Sequence, residues 1–276
     1  MNPKPDPTAF NAEDFVHRLA KLLESLPVDL AEISAFSSPK LKGLRERMGS
    51  LLLELQRFSR ALDPIQPPPF VFDPSDPKVI GELIARTLLI QPKRPLSGTG
   101  ERRFYGSGVY AIYYRGDFHC YAPISGTENP IYVGKADPRS MHARTVEEQG
   151  TGLWTRLNDH KRSIGTAENL RLEDFDCRYL VVKSAWEETA ENHLITYFKP
   201  VWNNEMEVCY GFGKHGDSGE TRRNQRSPWD TLHSGRSWAS AEKNVPNARS
   251  SREIAADIAK HFERHPPVKK VARPMP

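Results

Sequence analysis

The stretch Gly108-Val109-Tyr110-Ala111-Ile112-Tyr113-Tyr114 is the clearest β-strand in the chain, and Pro130-Ile131-Tyr132-Val133-Gly134 is a second. Both consist largely of β-branched and aromatic residues, which favour buried strands. Each strand carries a tyrosine, Tyr110 or Tyr132, close to a glycine. Tyrosine is common in strands, so a structural role is the simpler interpretation of either tyrosine alone. The residues farther along the chain change that interpretation.

Two helices are predicted after these strands, with a third strand between them at residues 176–182. The first helix, residues 152–164, carries Arg156 and His160 four residues apart, which places them on one face. The second helix, residues 185–198, ends before a proline and carries three acidic residues, Glu187, Glu188 and Glu191. In the loop that follows lies Asn203. Each of these polar residues, taken alone, would be typical of a solvated surface.

The sequence before the strands predicts further helices. Asn11 is placed to cap one helix, with Asp14 three residues later, and a second helix is predicted over residues 39–62. Apolar residues recur at helical spacing in both, so the pair forms a hairpin whose apolar stripe needs a covering surface. That surface is either the main domain or a second copy of the chain. Asp76-Pro77 begins a third helix, because proline is favoured at the first helical position.

Composition divides the chain and shows where its charge lies. We expect residues 1–10, which are Pro-rich, to be disordered; 11–66 to form the N-terminal helical hairpin extension; 70–240 to form the main domain; and 241–276 to form a basic, partly disordered tail with a weak helix near 251–264. The net charge of +4 is uneven, because residues 210–276 hold 13 Lys and Arg against 7 Asp and Glu. Such a segment suits a polyanionic partner, and a solvated tail is the alternative.

Several classes of protein are excluded by composition. The mean hydropathy is −0.62 and no long uncharged apolar run occurs, so a membrane span is not expected. The N-terminus lacks the apolar core of a signal peptide. The three cysteines are too scattered for a disulfide framework or a CxxC metal pair: Cys120, Cys177 and Cys209. We therefore expect reduced thiols and a bacterial cytoplasmic location.

Together, these residues resemble a known nuclease superfamily. Gly108-Val109-Tyr110 and Tyr132-Val133-Gly134 are similar to the two halves of the GIY-YIG motif, each with valine for isoleucine. The later order of Arg, His, Glu and loop Asn is also similar, and the twelve-residue spacing of that family selects Glu191 and Asn203. The resemblance covers about residues 104–210. It implies an α/β (α+β) fold, a small central antiparallel β-sheet flanked by helices, with six catalytic residues: Tyr110, Tyr132, Arg156, His160, Glu191 and Asn203.

One departure from the family pattern points to a branch within it. The two tyrosines are 22 residues apart, where about ten is usual in the superfamily. The insert from Gly116 to Asn129 is predicted to be an extended hairpin loop, because it contains several turn formers. Such an insert, a helical N-terminal extension and a basic C-terminal segment resemble type II restriction endonucleases. Repair and homing nucleases usually carry this module beside separate DNA-binding domains, which the sequence does not show.

The resemblance gives each site residue a role in phosphodiester hydrolysis. Glu191 would hold one Mg²⁺, with Mn²⁺ as a substitute, because a single carboxylate does not suit a two-metal site. Arg156 would bind the scissile phosphate. The general base is left open between Tyr110 assisted by His160 and His160 acting directly.

The remaining polar residues would orient the reactants or contact DNA. Tyr132 and Asn203 would orient water, phosphate or Glu191. The stretch 210–238 is rich in Arg, which pairs with guanine edges, so it is predicted to be a recognition loop; a phosphate-positioning or disordered segment is the alternative. The predicted DNA contacts are Lys135, Lys214, His215, Arg222, Arg223, Arg226 and Arg236.

The resemblance thus leads to an expected function. We expect a site-specific type II restriction endonuclease that cuts double-stranded DNA at a GC-rich palindrome, of the CCGCGG type. Cutting both strands of a palindrome calls for a homodimer, and protection of the host calls for a cognate DNA methyltransferase that need not bind stably. Two alternatives stay open: a repair or structure-specific GIY-YIG nuclease, and a catalytically inactive DNA-binding protein.

Overall fold

The computed structural model describes residues 10–26, 37–65, 72–183, 185–213, 226–239 and 246–269. The chain divides into two compact units, residues 1–71 and residues 72–276. Within the described ranges, none of the helices has both the length and the apolar character that crossing a membrane requires. The predicted disordered segment 1–10 lies almost entirely outside the described residues.

The first unit contains the two predicted helices, α1 (Ala12–Glu24) and α2 (Ser38–Ala61). The side chain of Asn11 accepts a hydrogen bond from the backbone N–H of Asp14 at 3.1 Å, so the predicted cap is confirmed. Phe15 of α1 packs on Phe58 of α2, with ring centroids 5.0 Å apart. Many other large apolar side chains of this unit are exposed, among them Leu22, Leu23, Leu26, Leu44, Met48, Leu51, Leu52, Leu53 and Leu62.

The second unit is built on a four-stranded sheet in which every pairing is antiparallel. Its strands are β1 (Arg94–Pro95), β2 (Gly108–Tyr114), β3 (Tyr132–Ala136) and β4 (Phe175–Val181), in the order β1-β4-β2-β3. The predicted antiparallel sheet is therefore confirmed. All seven residues of β2 are buried because the strand is covered on both faces.

Alternate residues of β2 enter two different cores, as the two-residue period of a strand requires. Val109, Ala111 and Tyr113 face a core shared with α3 (Pro77–Leu89) and α5 (Glu187–Phe198). The opposite side chains, Tyr110, Ile112 and Tyr114, belong to a larger aromatic core shared with α4 (Gly152–Gly165). Helices thus flank the sheet on both faces, and Tyr110 lies on the α4 side.

The insert between the tyrosines connects the antiparallel strands β2 and β3, as predicted for a long hairpin loop, but it is more structured than predicted. It folds back and forms a short 3₁₀ helix, His119–Tyr121, whose Tyr121 side chain is fully buried. The Tyr121 hydroxyl accepts a hydrogen bond from Trp202 Nε1 at 2.8 Å and lies 2.6 Å from His233 Nε2. The insert is therefore part of the core, because its aromatic residues find partners far away in sequence.

The C-terminal region contains the helix predicted near residues 251–264, which packs more firmly than its weak sequence signal indicated. After the short helix α6 (Pro228–Leu232), α7 (Ser251–Arg264) begins with a capping box between Ser250 and Glu253. Ile254 and Ile258 of α7 are fully buried in the aromatic core. The segment that we expected to be a partly disordered tail thus supplies a core helix, while residues 270–276 lie outside the described residues.

Candidate active site

The centre of the site is a hydrogen bond between Tyr110 and His160. The Tyr110 hydroxyl lies 2.7 Å from Nε2 of His160, which faces it from the third turn of α4. Only 2% of Tyr110 and 1% of His160 is exposed. The Tyr132 ring lies 5.1 Å from the imidazole, centroid to centroid. Strands β2 and β3 and helix α4 thus bring three of the predicted residues into contact.

Gly134 makes this arrangement possible. It is paired with Tyr110 across the β2–β3 ladder, and the phenol of Tyr110 lies directly over it. A Cβ atom at position 134 would lie 2.4 Å from the Tyr110 hydroxyl oxygen, which is inside any normal contact distance. The glycine of the second half-motif is therefore required by the position of the first tyrosine.

Both tyrosines are held in their protonated form. Burial raises the pKa of Tyr110 well above its ordinary value, and the neighbouring Tyr132 raises it further, whereas Arg156 lowers it. Burial and the negative charge of Glu191 raise the pKa of Tyr132 to about 12. Arg156 is exposed on α4, one turn before His160, and its charge acts on both phenols. Burial therefore favours the neutral phenol of Tyr110, whose hydroxyl lies within hydrogen-bond distance of His160.

Glu191 faces the same site from α5. Burial raises its pKa to about 7, the nearby charges of Glu205 and Asp137 also raise it, and Lys135 lowers it by its charge and a backbone hydrogen bond. The carboxyl group is therefore poised to lose its proton near neutral pH. Within the described ranges no cluster of three or more His, Cys, Asp or Glu side chains could hold a metal ion. A lone hard carboxylate fits Mg²⁺, which keeps most of its water ligands.

Lys135 is engaged by acidic residues on the protein surface. Its Nζ lies 2.8 Å from Asp137 Oδ1 and 3.8 Å from Glu188 Oε2. The hydrogen bond with Asp137 is the main cause of a raised pKa for Lys135, so its ammonium group stays charged. Lys135 lies near the end of β3, where its charge and a backbone hydrogen bond both act on the Glu191 carboxyl group.

The side chain of Asn203 is bonded to the backbone of β3. Its side-chain Oδ1 accepts a hydrogen bond from the Val133 N–H at 3.0 Å, and its Nδ2 donates to the Val133 carbonyl at 2.8 Å. The amide thus pairs with the backbone of β3 as a neighbouring strand would. Both residues are buried. The amide groups of Asn203 are occupied by β3, so this residue positions the strand that carries Tyr132.

A family model supplies the comparison that decides the identity of the chain. The model described as the Eco29kI GIY-YIG domain matches residues 102–262, more than half of the chain. The chain belongs to the Eco29kI GIY-YIG family. This family consists of type II restriction endonucleases with a GIY-YIG nuclease domain, so the chain is a DNA endonuclease. No curated protein matches the chain.

The family match extends well beyond the nuclease motif. It begins before β2 and ends within α7, so it includes the insert and also the C-terminal helix, which lies beyond the resemblance over about residues 104–210. The Eco29kI GIY-YIG domain therefore coincides with most of the described part of the second unit. The resemblance to the GIY-YIG superfamily and to its restriction-enzyme branch is confirmed.

The predicted DNA contacts of this Eco29kI-family chain are only partly described. Four of them lie outside the described residues: Lys214, His215, Arg222 and Arg223. Arg226 is half-buried, and its Nε donates to the Ala239 carbonyl at 3.2 Å. Arg236 is buried and forms an ion pair with Asp230 at 2.7 Å. The burial of Arg236 gives it an internal role, which does not support its prediction as a DNA contact.

Two residues near the site were not singled out by the sequence. Glu187 is buried and accepts hydrogen bonds from the Ser107 hydroxyl and the Ala185 N–H, both at 2.9 Å, so it ties the start of α5 to the start of β2. Its spacing on the helix could not distinguish it from the exposed Glu188. Phe212 is fully buried and stacks on His160, with ring centroids 4.4 Å apart. The sequence signal for Phe212 was its place between two glycines in the Arg-rich stretch.

Proposed function

We propose that the chain is a site-specific type II restriction endonuclease that hydrolyses double-stranded DNA with one Mg²⁺ ion. The observation that supports this most directly is the 2.7 Å hydrogen bond between Tyr110 and His160, within the electrostatic reach of Arg156 and Glu191. Hydrolysis needs a proton acceptor for water, a cation for the phosphate and an anionic metal ligand. These side chains meet all three needs in one place.

The proton shared by Tyr110 and His160 suggests how water is activated. Because the Tyr110 phenol is protonated, it can take a proton from water only as it gives its own to Nε2 of His160. Such a relay leaves an imidazolium at His160 and a neutral phenol at Tyr110, with no free phenolate. Direct abstraction by His160 is the alternative, and it requires the imidazole to release its tyrosine partner first.

The phosphate would be bound by two cations at the edge of this site, the exposed Arg156 and the half-buried Lys135. Arg156 presents a planar fork that suits two phosphate oxygens, and Lys135 offers a second positive charge beside Glu191. A Mg²⁺ ion at Glu191, with Mn²⁺ as a substitute, would supply a Lewis acid for the growing negative charge. Glu191 must be ionised to hold it, which links activity to the pKa of about 7.

The target is proposed to be a GC-rich palindrome of the CCGCGG type, cut by a homodimer. One chain has one Tyr110–His160 pair, so a double-strand break needs two copies related by a two-fold axis. The exposed apolar side chains of α1 and α2 offer a contact surface for the second copy. A cognate methyltransferase that modifies the same site would protect host DNA.

Digestion of plasmid DNA with and without a CCGCGG site tests this proposal. We expect discrete fragments in MgCl₂, none in EDTA, and ends that sequencing assigns to one palindrome. Glu191→Gln should abolish cutting, whereas the matched control Glu188→Gln, an exposed residue on the same helix, should cut like the wild type. A smear, or cutting confined to flaps and nicks, would instead indicate a repair-type nuclease. Sedimentation with and without DNA tests the homodimer separately.

A further inference from the structure

Phe212 connects the active site with the residues that lead into the Arg-rich stretch. Its ring stacks on the imidazole of His160, with centroids 4.4 Å apart and planes only 18° apart. The same ring meets Tyr132 edge-on at 5.0 Å. Position 212 is fully buried and stands two residues before Lys214, the first of the predicted DNA contacts in this stretch. One aromatic side chain therefore touches two of the residues assigned to catalysis.

The backbone around Phe212 is held by Arg236. The guanidinium donates from Nη1 to the Phe212 carbonyl at 3.1 Å and from Nη2 to the Gly211 carbonyl at 3.0 Å. Its Nε donates to Asp230 Oδ1 at 2.7 Å. The cation also lies over two indole rings, with Cζ 4.4 Å from the Trp229 ring centre and 4.8 Å from that of Trp238. Arg236 is thus held by a carboxylate, two backbone carbonyls and two indole rings.

Gly211 adds a backbone constraint on the same segment. Its φ of +101° lies in the left-handed region that side chains rarely adopt. A Cβ atom there would lie 2.3 Å from the Cβ of Ser227. The chain can therefore approach Ser227 only with glycine at 211, and this approach sets the direction in which Phe212 enters the site.

We propose that Phe212 is a positioning residue for His160, and that Arg236 fixes Phe212 in turn. An imidazole can rotate about its Cβ–Cγ bond, and only some rotations direct Nε2 toward the Tyr110 hydroxyl. A flat ring stacked on one face of the imidazole restricts that rotation. The proposal rests on the nuclease function proposed above, in which His160 takes part in proton transfer. It gives the buried Arg236 a role in the rate of cutting, in place of the predicted DNA contact.

A positioning role and a merely structural role differ in what they change. Loss of a buried aromatic ring lowers stability wherever the ring lies. Misplacement of His160 would in addition slow cutting by DNA-saturated enzyme and leave DNA affinity unchanged. The control is Phe175→Leu, because Phe175 is equally buried in the same core and packs on Tyr114 and Trp202.

Single-turnover cutting of a cognate duplex, with enzyme in excess, tests the proposal on the full chain. We expect Phe212→Leu to cut about 10 to 100 times more slowly than Phe175→Leu at saturation, with a Kd for uncut DNA in Ca²⁺ within about twofold. Phe212→Tyr keeps the ring and should restore most of the rate. If Phe212→Leu does not fold, Phe212→Met, which keeps most of the volume and has no ring, takes its place. Equal rates for the Phe212 and Phe175 variants would overturn the proposal.

The variant Arg236→Lys tests the second part of the proposal, that Arg236 fixes the position of Phe212. Lysine keeps a positive charge beside Asp230 and lacks the planar fork that reaches two carbonyls. We expect slower cutting at saturation with unchanged affinity. Weaker DNA binding with an unchanged rate of cutting at saturation would show that Arg236 does not act by fixing Phe212. That result would restore the predicted DNA-contact role of Arg236. Wild-type protein that does not cut DNA at all would refute the proposed function, so the two failures are distinguishable.

Discussion

Replacing Asn203 by alanine should lower the free energy of unfolding of the second unit. Cutting should slow only because less of the protein is folded. The side chain makes two hydrogen bonds, at 3.0 and 2.8 Å, with the N–H and carbonyl of Val133. Val133 is fully buried, so both backbone groups would lose their partners without gaining water. The alternative view, in which Asn203 orients water or the metal ligand, predicts lost activity with unchanged stability.

The size of the effect follows from the two unsatisfied groups. Each buried backbone group left without a hydrogen bond costs about 1–3 kcal/mol. Two such groups give a loss of about 2–6 kcal/mol, a large part of the roughly 5–15 kcal/mol that stabilises a typical domain. The matched control is Asn204→Ala, because the next residue is the same amino acid with an exposed side chain. Its free energy of unfolding should stay within about 0.5 kcal/mol of the wild type.

Urea unfolding followed by tryptophan emission isolates the relevant unit. All five tryptophans, at positions 154, 186, 202, 229 and 238, lie in the second unit. The midpoint for Asn203→Ala should move to lower urea with an unchanged slope. The cutting rate at a temperature where the variant is still folded should remain measurable. A variant as stable as Asn204→Ala, yet inactive, would refute the structural role of Asn203.

Three further predictions concern the site itself. For Glu191, the raised pKa means that cutting at limiting Mg²⁺ should fall about tenfold for each pH unit below 7, because the metal needs the carboxylate. The folded state also retains the Glu191 proton up to about pH 7 while the unfolded state releases it near 4.5, so metal-free stability falls as pH rises through this window. Glu191→Gln should then be more stable than the metal-free wild type at pH 8 in urea melts, although inactive; a less stable variant would contradict the burial argument. Tyr110→Phe removes the hydroxyl 2.7 Å from His160 and should lower the single-turnover rate about 100-fold or more, whereas a near-wild-type rate would assign the base to His160 alone. Gly134→Ala places a methyl group against the Tyr110 hydroxyl and should abolish cutting, while Gly165→Ala, where nothing lies within 4 Å, should cut normally; equal activity would show that Tyr110 can move aside.

Local signals in the sequence were enough to predict most of the helices and strands. The third helix is an example, because Asp76 accepts a hydrogen bond from the Lys78 N–H at 2.8 Å and Pro77 opens the first turn, as its type and position predict. The signal that predicts strand β2 is equally local, since β-branched and aromatic residues make up most of it. Such signals need no information about distant parts of the chain.

Long-range partners explain what the sequence did not predict. Tyr121 looked like part of a surface loop because its partner His233 is 112 residues away. Burial, and then the positive charge of Arg236, lower the pKa of His233 to about 3, so it stays neutral inside the core. The helix α7 looked weak for the same reason, because Ile254 and Ile258 need the distant aromatic core to cover them.

For the candidate site, too, the sequence was enough to select residues but not to show their long-range contacts. Motif order was sufficient to choose Tyr110, His160 and Glu191, which the fold brings into one region. The partner of Asn203 could not be seen, because the pairing with Val133 spans 70 residues and involves the backbone. Residue type therefore indicated which residues lie near the candidate site, and only packing showed that Asn203 is bonded to the backbone of a strand.

The alternation of side chains along β2 limits how this chain can change in length during evolution. Val109, Ala111 and Tyr113 fill one core while Tyr110 and Ile112 fill the other. An insertion or deletion of one residue inside the strand would move side chains from one face of the sheet to the other. Tyr110 would then turn away from His160, and both cores would receive side chains that do not fit them. Gains and losses of residues can therefore accumulate only outside residues 108–114. The insert at 116–129 begins directly beyond that boundary, where added length leaves both cores in register.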